Sequence, residues 1–161
     1  MNPEANIQTL RAEISKSLSV LTRTEDYITD FQHRKLNNPP GTDEAMILTQ
    51  ALTNYYTCIE TLFLRISKFF ENNLDKDQWH RSLLEKMTLE IESVRPRVIC
   101  EAVYQGLSEL LKFRHFSRYY FELDYDWDKL RFLLKKFNDI HVQVRTDICG
   151  FDCFLNSLLS S

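Results

Sequence analysis

Leu52-Thr53-Asn54-Tyr55-Tyr56-Thr57-Cys58-Ile59-Glu60-Thr61-Leu62-Phe63-Leu64-Arg65-Ile66-Ser67-Lys68-Phe69-Phe70 is the stretch that decides the fold. Its apolar residues Leu52, Tyr55, Tyr56, Ile59, Leu62, Phe63, Ile66, Phe69 and Phe70 recur at three- and four-residue steps, the period of one helix face. On that face Tyr55-Tyr56 and Phe69-Phe70 read as core. Thr42 or Asp43 can cap this helix, Glu44 suits its positive first turn, and Asn72-Asn73 should end it.

Outward from this segment the same period repeats. Upstream, Asn2-Pro3 reads as a cap and first-turn proline, and Ile7, Leu10, Ile14, Leu18, Leu21, Ile28 and Phe31 form a stripe ending near Asn37-Asn38-Pro39-Pro40-Gly41. Downstream, a third helix should start near Asp75 or Asp77, carry His80, Leu84, Met87, Ile91 and Val94, and stop at Arg95-Pro96. A fourth runs from about Cys100 through Val103, Leu107, Leu110, Leu111 and Phe116. After the acidic break Glu122-Leu123-Asp124-Tyr125-Asp126, Asp126 can cap a last helix striped by Trp127, Leu130, Leu134, Phe137, His141, Val144, Ile148, Phe151 and Leu155. The expectation is an all-α, up-and-down bundle of about five helices, one domain over residues 1–161.

Composition agrees. Only 3 Gly and 4 Pro in 161 residues leave little material for phosphate loops or hairpin-rich sheets. Lys+Arg number 20 against 23 Asp+Glu, a net charge of -3 that excludes a wholesale basic coat but not a local basic patch. No run approaches the ~20 apolar residues that span a bilayer, and the start carries no secretory pattern. Four sparse cysteines, Cys58, Cys100, Cys149 and Cys153, suit free thiols in the cytoplasm.

Chemistry-bearing motifs are few. His141, Cys149 and Cys153 fall at multiples of four, but twelve residues of helix span about 18 Å, too far for one ion. They read as a core histidine and small buried thiols, and no metal or cofactor is expected. Lys112-Phe113-Arg114-His115-Phe116-Ser117-Arg118-Tyr119-Tyr120-Phe121 is different: three permanent cations and a histidine lie within seven positions, beside aromatic rings. Such a cluster could hold an RNA phosphate and stack a base. The alternative is a solvated helix end whose cations pair with Glu122, Asp124 and Asp128.

Trp79-His80-Arg81-Ser82-Leu83-Leu84-Glu85-Lys86-Met87, then Arg95-Pro96-Arg97-Val98-Ile99, then Phe113-Arg114-His115-Phe116 running to Glu122-Leu123-Asp124, resemble the HepT-like branch of the HEPN superfamily. The likeness runs from Trp79 to about Phe137. It implies an all-helical homodimer from a toxin–antitoxin pair: a metal-independent endoribonuclease with an Arg-x4-His-x-Tyr motif. Its partner would be a minimal nucleotidyltransferase that adenylylates the motif tyrosine. Here Arg114 fills the arginine position, Tyr119 stands where the histidine would be, and Phe121 where the tyrosine would be. A phenol titrating near 10 is a poor base at neutral pH, and phenylalanine has no hydroxyl to modify. The candidate catalytic residues are therefore Arg114, His115 and Tyr119, with Lys112 and Arg118 for RNA and Tyr119 or Tyr120 for modification. Two readings stay open: an RNA-binding, RNA-cleaving toxin component, or a non-catalytic dimer that binds a nucleotidyltransferase or another protein.

Overall fold

The computed structural model describes residues 2–36, 40–71, 79–118 and 122–160. They form five helices: α1 (Pro3–Lys35), α2 (Thr42–Phe70), α3 (Trp79–Met87), α4 (Glu101–Ser117) and α5 (Trp127–Leu159). There is no strand among the described residues; the architecture is an all-α bundle. The ends expected near Asn37–Pro39 and Asn72-Asn73, and the start near Asp75 or Asp77, lie outside them.

Local signals explain the starts of α1, α2 and α5. The Asn2 side chain accepts from the Glu4 N–H at 3.0 Å, with Pro3 in the first turn. Asp126 accepts from Asp128 and Lys129 at the head of α5. The second helix departs from expectation. Gly41, not Thr42 or Asp43, is its cap, and Glu44 folds back so that its Oε2 accepts from the Gly41 N–H at 3.0 Å.

α1 runs antiparallel to α5: Arg11 bonds to Asp152 and Asn156 near one end, and Gln32 exchanges bonds with Asn138 near the other. α4 lies antiparallel to α5, and the crossing is close at Gly106, where an added Cβ would stand 2.7 Å from Ile140 Cγ2. α2 contacts every other helix and is the spine of the bundle. Tyr55, Tyr56, Ile59, Leu62, Phe63 and Ile66 are fully buried on it, each worth about 1.5–3 kcal/mol of transfer from water. Its last turn is less buried than its stripe implies. Phe69 is exposed, and Phe70 is half-buried against Phe151 and Phe154.

The third helix stops at Met87, well before Arg95, and Val94 is exposed. The cause is Arg95. Its fully buried guanidinium donates to the carbonyls of Lys86, Leu89 and Pro96 and to the carboxylate of Glu71. The Met87 carbonyl accepts from Val98 and Ile99. These bonds satisfy carbonyls that another helical turn would have used, so the chain leaves the helix early. Ile91 and Arg95 then pair across a tight turn containing Ser93 at φ 63°. Proline had the right neighbourhood, but the arginine before it sets the end.

Candidate functional site

Glu60 lies on the buried face of α2, between Tyr56 one turn before it and Phe63 after it. A carboxylate in that register needs partners, because an unpaired buried charge is very costly. It has three. Arg114, from α4, donates from Nη1 to Oε1 at 2.8 Å and from Nη2 to Oε2 at 3.1 Å. The Tyr56 hydroxyl donates to Oε2 at 3.1 Å, and His80 of α3 places Nδ1 2.8 Å from the same oxygen. The Arg114 guanidinium carbon also sits 4.9 Å over the Tyr56 ring. Burial pushes the Glu60 carboxyl up, but the hydrogen bonds from Arg114 and His80 outweigh it and hold it below the ordinary range. Tyr56 moves up instead, first through burial and then through the Glu60 charge.

Arg114 is thus a buried residue, 7% exposed, spent on a carboxylate inside the protein. The cations of its segment do not behave as one surface cluster. Lys112 pairs with Glu109 at 3.1 Å, and Asp128 with Arg131, so of the alternative pairing with Glu122, Asp124 and Asp128 neither Arg114 nor Lys112 takes part. Arg118, at the end of α4, is exposed. Tyr119, Tyr120 and Phe121 lie outside the described residues.

His115, one residue beyond Arg114, is exposed and turns toward α3. Its ring meets the His80 ring edge to face, with centroids 5.8 Å apart. Both line a cleft of about 650 Å³ between α3 and α4, with Arg81, Tyr104, Ser108 and Lys112 along its walls. The His115 imidazole is held below its ordinary value, first by burial and then by the positive charges of Arg114 and Arg118. A neutral imidazole near neutral pH is a competent proton acceptor. His80 joins the two layers: its Nδ1 lies 3.1 Å from Arg114 Nη2 as well as against Glu60. A proton on that nitrogen goes to the carboxylate; a bare nitrogen accepts from the guanidinium.

Of the sequence candidates, the structure therefore brings His115 and Lys112 to one cleft, sets Arg114 beneath it, and adds His80 and Glu60. Neither addition was among the site candidates, although Glu60 left a trace. It shares the helical register of Tyr56 and Phe63, where a charged residue is out of place. The other group set aside from sequence is partly corrected. His141 is half-buried, stacked on Phe137 and 3.4 Å from Glu25, but Cys149 and Cys153 are exposed, because their positions on α5 face outward. Among the described residues no group of three or more His, Cys, Asp or Glu side chains is placed to hold a metal ion.

Residues 47–155 match the family of the HepT-like protein, from Ile47 in α2 to Leu155 in α5. The chain belongs to the HepT-like family. The match takes in the whole cleft and the Glu60–Arg114 pair beneath it, and it extends past both ends of the likeness visible between Trp79 and Phe137. Membership makes this a HEPN-type, toxin-like protein. No curated protein and no solved structure matches the chain. No helix among the described residues is long and apolar enough to cross a membrane.

Proposed function

We propose that this HepT-like protein is the toxin-like component of a toxin–antitoxin pair, and that it binds single-stranded RNA in the α3–α4 cleft and cleaves it without a divalent metal. The observation that carries the reading is His115. An exposed imidazole, held below its ordinary value by partial burial and by Arg114 and Arg118, lines a polar cleft that Lys112 and Arg81 can make attractive to a phosphodiester. In this reading His115 is the general base, Lys112 and Arg118 contact phosphates, and Arg114 is a positioning residue for the imidazoles above it.

Incubation of a short single-stranded RNA with the protein and a chelator tests it. Cleavage should persist, fall on His115→Ala with the helical signal unchanged, and yield a 2′,3′-cyclic phosphate end. Lys112→Ala and Arg118→Ala should weaken RNA binding and flatten its dependence on salt. Cleavage that required magnesium, or survived His115→Ala, would remove the assignment.

One observation favours the second reading, a non-catalytic dimer that binds a nucleotidyltransferase. The motif arginine is bound bidentately to Glu60 and turned inward, whereas a phosphate-contacting arginine must face the substrate. Co-expression with a minimal nucleotidyltransferase encoded beside the chain, followed by mass spectrometry, separates the two. An adenylyl group on Tyr119 or Tyr120 supports a toxin under control. Tight binding without modification or RNA cleavage supports the non-catalytic complex.

A further inference from the structure

The motif position that would hold a histidine carries Tyr119, so a reaction at this cleft has one motif imidazole fewer than the family pattern implies. The structure supplies another from a different helix. We propose that His80 is a second catalytic imidazole, acting as the proton donor opposite His115, and that Glu60 is the residue that orients it. The proposal rests on the RNA-cleaving reading above and assigns that reading its acid.

Three observations carry it. The His80 ring is 29% exposed and lines the same cleft as His115, with the two centroids 5.8 Å apart, so a phosphodiester lying in the cleft reaches both. Its Nδ1 is anchored 2.8 Å from Glu60 Oε2, a carboxylate that is itself fixed by Arg114 and Tyr56. An imidazole pinned through Nδ1 has a set orientation and exchanges protons with a substrate through Nε2. The arrangement is also more elaborate than packing requires. A histidine serving only to fill a half-buried position gains little from a carboxylate that brings its own arginine out of water.

The step balances without a metal or a co-reactant. His115 takes the proton of the ribose 2′-hydroxyl as that oxygen attacks phosphorus, and a new P–O2′ bond forms. The P–O5′ bond breaks, and the His80 Nε2 proton passes to the departing O5′. The products are a 2′,3′-cyclic phosphate and a free 5′-hydroxyl, and the two imidazoles finish with their protonation exchanged. The charged and titratable groups facing the pair are Glu60 from α2, Arg114 from α4 and Arg118 just past its end, and Arg81, Tyr104, Glu109 and Lys112 along the cleft, Glu109 being the ion-pair partner of Lys112.

His80→Asn is the informative variant, because its amide nitrogen stands near the place of Nδ1, keeps a donor for Glu60, and removes Nε2. The full chain would be assayed on uridylyl-adenosine with chelator present, alongside His115→Asn and a thermal melt of each variant. We expect kcat to fall about 10²- to 10⁴-fold for either change, with KM altered far less and the melt close to wild type for His80→Asn. The pH–rate profile should lose its alkaline limb in His80→Asn and its acidic limb in His115→Asn. Imidazole proton signals, followed during titration with the uncleavable 2′-deoxy dinucleotide, provide a readout independent of turnover, and both histidines should shift. A His115 shift without one at His80, or full activity in His80→Asn, overturns the catalytic role of His80 and leaves the RNA-cleaving reading standing. No shift at either ring and no cleavage by the wild-type protein overturns both.

Discussion

Replacing Arg114 with alanine leaves the Glu60 carboxylate, 7% exposed, without the two charge-assisted hydrogen bonds that hold it. Removing one partner of a buried ion pair costs about 3–5 kcal/mol, because the remaining charge is neither hydrated nor compensated. Loss of the guanidinium contact with the Tyr56 ring adds to that. Small proteins are stable by only about 5–15 kcal/mol, so the change removes a large share of the total. At about 2–4 °C per kcal/mol for a chain of this size, the melting temperature should drop on the order of 10 °C. Urea unfolding monitored by helical circular dichroism measures the loss directly. Arg114→Met combined with Glu60→Leu should be more stable than Arg114→Ala alone, since no charge is then stranded, although Tyr56 and His80 each lose an acceptor at about 1–3 kcal/mol. A loss below about 1 kcal/mol in Arg114→Ala, as exposed pairs show, would mean that the carboxylate is solvated and the buried network is not what holds α4 to α2. Arg114→Ala is consequently a poor test of catalysis. Any drop in RNA cleavage would be mixed with unfolding, and His115 carries that test instead.

Glu60 and Glu25 should shift stability with pH in opposite directions. Glu60 titrates below its ordinary value when folded, so its contribution is present above the unfolded pKa and is lost as pH falls through the folded one. Glu25 is pushed up, chiefly by burial, despite Arg145 and His141, so its ionisation opposes folding as pH rises from the unfolded pKa through the folded one. Urea midpoints of Glu60→Gln and Glu25→Gln between about pH 4 and 7 should diverge accordingly; parallel curves would contradict both assignments. Gly106→Ala should destabilise by about 1 kcal/mol net, because overpacking against Ile140 exceeds the gain in helix propensity. Gly150→Ala, where an added Cβ meets nothing within 4 Å, should stabilise by about 0.5–1 kcal/mol; thermal melts of the pair compare the two sites under the same propensity gain. Light scattering over a range of concentrations should report a dimer, and a strict monomer would count against the homodimer expected of a HepT-like protein.

The residues themselves determine a good deal. Five helices, their apolar faces and the caps at Asn2 and Asp126 follow from a period of 3.6 residues and from side chains that reach backbone groups two or three positions away. Both kinds of signal lie within a few residues of the position they specify, so a sequence displays them. The end of α3 does not, because Arg95 sets it by reaching back nine residues to Lys86 and twenty-four to Glu71. The cluster around Arg114 is the clearest case. Read along the chain, Arg114 belongs with Lys112 and Arg118 as part of a basic run; in the fold it belongs with Glu60, fifty-four residues earlier, and points inward. His80 and His115 share no local pattern either, and only the packing of α3 and α4 on α2 brings their rings to 5.8 Å. A buried charge can be suspected from its register, as at Glu60 and Glu25, but its partner is chosen by desolvation. Whichever cation lies within reach once water has been excluded must satisfy it, and that reach exists only in the folded chain.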